Sequence, residues 1–130
     1  MDSASLEKYG FKEWYKLIDI RKGVVDVPVA PTVYVIRFNR KFGRLKGESD
    51  ILYIGSTSDL HHRIVENYLR GRGGKTVKRI RKYLLNKGYL EVAEVSWIVT
   101  ENHEELENRL LKEYEEYHHE LPPWNRAGGD

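Results

Sequence analysis

Thr32-Val33-Tyr34-Val35-Ile36-Arg37-Phe38 is the stretch that decides the fold. Four of these residues are β-branched and two are aromatic, a composition that suits a pleated, half-buried surface, so it predicts a strand. Pro28 and Pro31 precede it, break regular structure and deliver the chain extended. Downstream, the polar and basic segment from Asn39 to Asp50, with Gly43 and Gly47, reads as a long hairpin loop. Ile51-Leu52-Tyr53-Ile54 then forms a second strand, stopped by Gly55, and Leu90 to Val99 a third.

Working outward, the remaining segments read as helices. Phe11, Trp14, Tyr15 and Ile18 recur at i, i+3, i+4 and i+7, which predicts a short amphipathic helix near the start. Ser58 or Asp59 can cap a helix striped by Leu60, Ile64 and Tyr68, ended by Gly71, Gly73 and Gly74. Thr76 can cap a second, with Val77, Ile80 and Leu84 inward and Gly88 at its stop. Asn102 can cap a long helix reaching about His118, closed by Leu121-Pro122-Pro123-Trp124-Asn125. The order α-β-β-α-α-β-α predicts an α+β fold: a small, three-stranded, largely antiparallel sheet flanked by helices. Residues 1–31 form an N-terminal helical extension packed on the core, and 32–130 the main domain.

A chain of 130 residues is expected to make one core. With 40% hydrophobic residues it has the apolar side chains to fold. The absence of cysteine excludes disulfide scaffolds, Cys-ligated zinc, iron–sulfur clusters and thiol catalysis. No apolar run approaches the roughly 20 residues that span a bilayer, and the N-terminus lacks the pattern of a signal peptide. A cytoplasmic protein without membrane association is expected. The formal net charge of +2 hides a segregation. Arg70, Arg72, Lys75, Lys78, Arg79, Arg81 and Lys82 form a block without a single acid. Between Glu101 and Glu120, eight Glu face only Arg109 and Lys112. Such blocks create local fields that a summed charge does not report.

Thr32-Val33-Tyr34, then Tyr53-Ile54-Gly55, then Ser56 to Ile64 with Arg63, resembles the GIY-YIG nuclease signature. Leu106-Glu107-Asn108-Arg109-Leu110-Leu111-Lys112 resembles that family's metal-binding helix, and Pro122-Pro123-Trp124-Asn125 its closing Asn segment. The resemblance covers roughly Thr32 to Asn125. It implies metal-dependent hydrolysis of nucleic-acid phosphodiesters, DNA before RNA. It makes Tyr34 the general base or the group orienting the attacking water, and sets Tyr53 beside the scissile phosphate. Arg63 would neutralise that phosphate, and Glu107 would hold a divalent cation, Mg²⁺ or alternatively Mn²⁺. Asn125 would tie down the chain end or assist near the site.

Elementary chemistry bears on each role. A free Tyr has a pKa near 10 and needs a nearby cation to act as a base at neutral pH, so Tyr34 requires Arg63 and the metal close by. Arg63 borders the apolar stripe of its helix, and its planar fork matches phosphate oxygens. Of the Glu residues in the last helix, only Glu107 has apolar residues at i+3, i+4 and i+7, namely Leu110, Leu111 and Tyr114. A carboxylate on an apolar face needs a cation, be it a metal or a neighbouring Arg or Lys. The seven-cation block supplies sequence-independent phosphate contacts, extended by Arg37, Arg40, Lys41, Arg44 and Lys46 near the hairpin. His61, His62, His103, His118 and His119 read as surface or locally hydrogen-bonded residues.

Departures from the pattern are Thr32 in place of Gly, Val33 in place of Ile, and 18 residues between Tyr34 and Tyr53. Asn67 stands four residues after Arg63, where the family often carries Tyr or His; Tyr68 follows, about 100° further round an α-helix. The alternative functions are a nucleic-acid-binding module of the same fold without turnover, and a protein-interaction domain using the acidic helix. With no second DNA-reading domain, specificity falls to substrate shape, a homodimer or a protein partner.

Overall fold

The computed structural model describes residues 1–126; residues 127–130, the end of the expected main domain, lie outside the described residues. Its sheet has four antiparallel strands, not three: β1 (Tyr15–Lys16), β2 (Thr32–Gly43), β3 (Glu48–Thr57) and β4 (Glu94–Val99). The order is β1-β4-β2-β3, so β3 forms one edge and the two-residue β1 the other. The helices are α1 (Leu17–Arg21), α2 (His62–Leu69), α3 (Lys75–Arg81) and α4 (His103–His118).

Each face of the sheet carries its own core. On one, Tyr34, Ile36, Tyr53 and Val95 pack under α1, α2 and α3 through Leu17, Ile20, Leu60, Ile64, Tyr68, Val77 and Ile80. On the other, Val33, Val35 and Ile54 pack against Leu110 and Tyr114 of α4 and against Leu6 and Phe11. The expected N-terminal helix is corrected here. Residues Ala4–Tyr9 make a 3₁₀ turn, and Phe11, Trp14, Tyr15 and Ile18 do not share one helix. Phe11 and Trp14 belong to the second face and Ile18 to the first, because the chain crosses the sheet edge between them.

The expected long loop from Asn39 to Asp50 is also corrected. The ladder runs on to Gly43 and Glu48, and Arg44 closes the turn by donating its N–H to the Gly47 carbonyl at 2.9 Å. The extra length lies in two irregularities. Ile36 faces Tyr53 while Arg37 faces Ile51, which leaves Leu52 as an unpaired bulge residue, and four residues of β2 then pass a single residue of β3. The hairpin tip docks on the end of α4. The buried His118 ring donates from Nδ1 to the Lys46 carbonyl at 2.7 Å, and its Nε2 lies 3.0 Å from the Met1 ammonium. Arg44 donates to the Leu121 carbonyl at 2.7 Å and pairs with Glu120. Arg37 pairs with Glu94 and Lys41 with Asp2. Three of the five hairpin cations are therefore occupied inside the fold.

The third strand starts at Glu94, four residues later than expected, since Tyr89–Glu91 form a 3₁₀ turn. Among the described residues no helix is long and apolar enough to cross a membrane.

Candidate active site

Tyr34 lies near the start of β2, and Tyr53 and Gly55 near the end of β3, so the antiparallel register brings all three to one end of the sheet. Gly55 is required there. A Cβ at this position would meet the Tyr53 ring at 2.6 Å and the Tyr34 hydroxyl at 2.8 Å. Gly55→Ala is expected to destabilise the fold by about 1–3 kcal/mol by forcing these buried rings apart, read as a lowered midpoint in urea.

Asp59 starts the next helical segment. Its Oδ1 accepts the His62 N–H at 3.0 Å, and the Leu60 and His61 N–H groups donate to the Ala30 and Pro28 carbonyls. Along α2 the winding is wider than in an α-helix: the Arg70 N–H reaches back five residues, to the Val65 carbonyl, at 3.1 Å. A π-turn of this kind spreads one turn over an extra residue. The residue five after Arg63 thus takes the place that the fourth would hold in an α-helix. That residue is Tyr68, fully buried, its hydroxyl 2.5 Å from that of Tyr34. Tyr53 and the Arg63 charge also act on the Tyr68 hydroxyl. Asn67 faces away and donates to the Arg72 carbonyl.

Burial dominates the electrostatics of the three phenols. It pushes Tyr34 and Tyr53 well above the ordinary tyrosine value, and the Arg63 charge pulls both back only in part. Burial likewise raises Tyr68 against its hydrogen bonds and Arg63. The Arg63 charge does act on Tyr34 in the lowering direction, as expected, but desolvation outweighs the guanidinium alone. All three are protonated at neutral pH, and they order the space beside Arg63 as hydrogen-bonding groups. Arg63 itself is half-buried, and its Nε lacks any partner.

Glu107 approaches from the opposite face of the sheet. It sits on α4, and the two faces meet at the β3 edge, where Ser56 donates from Oγ to Glu107 Oε1 at 2.8 Å. Burial raises the Glu107 carboxyl above the usual range, while Ser56 and the Arg63 charge pull it down. Its chemistry suits a hard divalent ion: one oxygen is oriented by Ser56, and the charged form is disfavoured by burial until a cation compensates it. Among the described residues no three His, Cys, Asp or Glu gather into a metal cage. A single carboxylate matches Mg²⁺, which keeps several waters and shares ligands with substrate phosphates.

The structure thus brings Tyr34, Tyr53, Arg63 and Glu107 to one rim of the sheet. Two further residues, Tyr68 and Ser56, stand with them. Tyr68 is legible only if the helix is not α-wound, and Ser56 only from the face on which alternation places it, beside Val33.

Asn125 and the basic block are placed differently. The Asn125 amide accepts the Ile54 N–H at 3.0 Å and donates to the Ile54 carbonyl at 2.9 Å, acting as a strand residue on the β3 edge. The seven cations of the basic block are not equally open to solvent. Arg79 donates to the Trp124 carbonyl at 2.7 Å, and Arg81 donates to the Leu69 carbonyl at 2.6 Å, sealing the end of α2. Arg70 and Arg72 share Glu66. Lys75, Lys78 and Lys82 remain exposed, at i, i+3 and i+7 on one side of α3 and of the wider-wound turn Lys82–Asn86 that continues it.

No curated protein and no solved structure matches the chain. Residues 30–120 match the model of the GIY-YIG catalytic domain, a span that holds Tyr34, Tyr53, Arg63, Tyr68 and Glu107. The chain belongs to the GIY-YIG nuclease family.

Proposed function

We propose that the protein is a metal-dependent endonuclease hydrolysing phosphodiester bonds of nucleic acid, DNA by preference. The observation that carries this reading is Glu107: a half-buried carboxylate turned by Ser56 and set within reach of the Arg63 charge across the β3 edge. Glu107 would hold a divalent cation, Mg²⁺ or Mn²⁺. When bound, such an ion lowers the pKa of a coordinated water and offsets phosphate charge. Arg63, half-buried beside the phenols, donates from its guanidinium to the phosphate and stabilises the charge that develops on it. Tyr34 and Tyr68, both protonated, orient the attacking water through their shared hydrogen bond, and Tyr53 lines the same space. Asn125 contributes by holding β3 in place. Specificity comes from substrate shape, a second copy of the chain or a protein partner.

The test is incubation with Mg²⁺ and a panel of branched, single-stranded and duplex DNAs and RNAs. Cleavage of at least one class is expected. Binding without cleavage across Mg²⁺ and Mn²⁺ would overturn the enzymatic reading in favour of a binding module. Lys75, Lys78 and Lys82 are expected to supply the phosphate contacts. Replacing all three by Ala should weaken binding equally across sequences and reduce the slope of log K against log salt by about three. An unchanged slope in fluorescence anisotropy would assign that task to other cations.

A further inference from the structure

The first two turns of α4 carry a second group beside Glu107. From His103 to Leu110, only His103, Leu106, Glu107 and Leu110 are withdrawn from solvent. Leu106 and Leu110 pack into the core under the helix, so these four mark its sheet-facing side. An imidazole and a carboxylate thus share that side one turn apart, at i and i+4, a spacing that sets Cβ atoms about 5–6 Å from each other. Helical side chains lean toward the N-terminus, so Glu107 reaches over the turn on which His103 stands. The His103 side chain is 18% exposed, and it lies near enough to act electrostatically on the Glu107 carboxyl.

The polar contacts of the pair leave one atom of each uncommitted. Ser56 occupies Glu107 Oε1 at 2.8 Å, which leaves Oε2. His103 Nδ1 lies 3.2 Å from the Glu101 carbonyl. A carbonyl only accepts, so the neutral ring carries its proton on Nδ1 and its lone pair on Nε2. The exposed Glu104 carboxylate stays 4.0 Å from Nε2, beyond hydrogen-bond distance. A main-chain carbonyl on one ring nitrogen is the usual support of an imidazole whose other nitrogen binds a metal.

We propose that His103 is a second ligand, through Nε2, of the ion held by Glu107, and that the pair favours a divalent transition ion over Mg²⁺. The inference rests on the nuclease reading above. Two ligands at i and i+4 on one helix face can chelate a single ion. Carboxylate oxygen alone suits Mg²⁺, whereas an added imidazole suits softer ions such as Co²⁺ and Ni²⁺. Among the described residues no third His, Cys, Asp or Glu joins the pair, so the other positions stay with water and substrate phosphate.

The experiment titrates Co²⁺, and separately Mg²⁺, into the whole wild-type chain without nucleic acid, by calorimetry. The variants are His103→Ala, Glu107→Gln and His103→Phe, the last filling the space of the ring without a nitrogen; circular dichroism checks that each is folded. Wild type should bind Co²⁺ more tightly than Mg²⁺ at the site that Glu107→Gln removes. Either His103 variant should weaken Co²⁺ there by at least roughly tenfold and change Mg²⁺ by less than about twofold. The Co²⁺-loaded wild type should also show a paramagnetically shifted, exchangeable imidazole N–H resonance, the Nδ1 proton, that the His103 variants lack. Co²⁺ affinity unchanged in folded His103 variants, or Co²⁺ and Mg²⁺ weakened alike, overturns His103 as the selecting ligand and leaves the Glu107 reading standing. A folded Glu107→Gln chain that binds both ions as wild type does overturns both.

Discussion

Glu107→Gln is expected to lower metal-dependent cleavage by at least roughly 10³-fold and, in the same protein, to raise thermal stability. Both effects come from one geometry. The Gln oxygen can still accept from Ser56, so the local hydrogen bond survives, but the amide brings no charge to a cation. The stability effect follows from the raised carboxyl pKa, whose first cause is burial. A carboxyl that holds its proton more tightly when folded adds its full stabilisation only at pH below the unfolded value. That contribution is lost as pH rises through the folded value, so at neutral pH the ionised carboxylate opposes folding. The wild type should therefore melt below Glu107→Gln at pH 7, and the gap should close as the pH is lowered through the carboxylate range. Mg²⁺ should raise the wild-type melting temperature and leave the variant where it is, since only the wild type binds it. Calorimetry at several pH values, with and without Mg²⁺, reads both effects. A variant that cleaves as well as wild type, or that gains equally from Mg²⁺, would remove Glu107 from the metal site.

Tyr68→Phe should cost roughly 10²-fold in kcat, whereas Asn67→Ala should leave kcat unchanged. Counting along the sequence in α-helical steps, Asn67 would be the residue stacked on Arg63. The wider winding of α2 gives that place to Tyr68, whose hydroxyl joins Tyr34 at 2.5 Å. Removing it leaves the Tyr34 hydroxyl buried without its partner, a loss of about 1–3 kcal/mol in stability as well. The split separates a chemical role from a structural one. If Tyr68 only supports the fold, Tyr68→Phe lowers stability and kcat survives at temperatures where the variant is folded. If the effects are reversed, with Asn67→Ala the damaging change, the helix carries its active residue by ordinary α-helical spacing.

Much of this was readable in advance where a residue's neighbours along the chain are also its neighbours in space. The strands around Tyr34 and Tyr53 announce themselves through β-branched and aromatic residues. Glu107 does so through apolar residues at helical spacing, and α4 ends at His118 as expected. The failures share a different cause. Phe11, Trp14, Tyr15 and Ile18 have helical spacing by coincidence, because the chain uses them on two faces of one sheet. Between Asn39 and Gly43 the outer part of β2 has one apolar residue, Phe42, too few to show the alternation that marks a half-buried strand. Arg79 and Arg81 count as charges in any sum, yet their work is to satisfy carbonyls that only the folded chain leaves open. Burial, which decides the protonation of the phenols, is likewise a property of the assembled layers.

The tail at Trp124 and Asn125 also bears on how the molecule keeps to itself. Ile51-Leu52-Tyr53-Ile54 is an apolar run on an edge strand, the kind of segment that templates pairing with another chain. The Trp124 N–H takes the Leu52 carbonyl at 2.9 Å, and the Asn125 amide takes both main-chain groups of Ile54. The three groups that would recruit a neighbouring strand are thus spent on the chain's own end. A chain cut short of Trp124 would keep Tyr34, Tyr53, Arg63 and Glu107 and gain a sticky border. Its first symptom would be precipitation on concentrating, ahead of any loss in the chemistry.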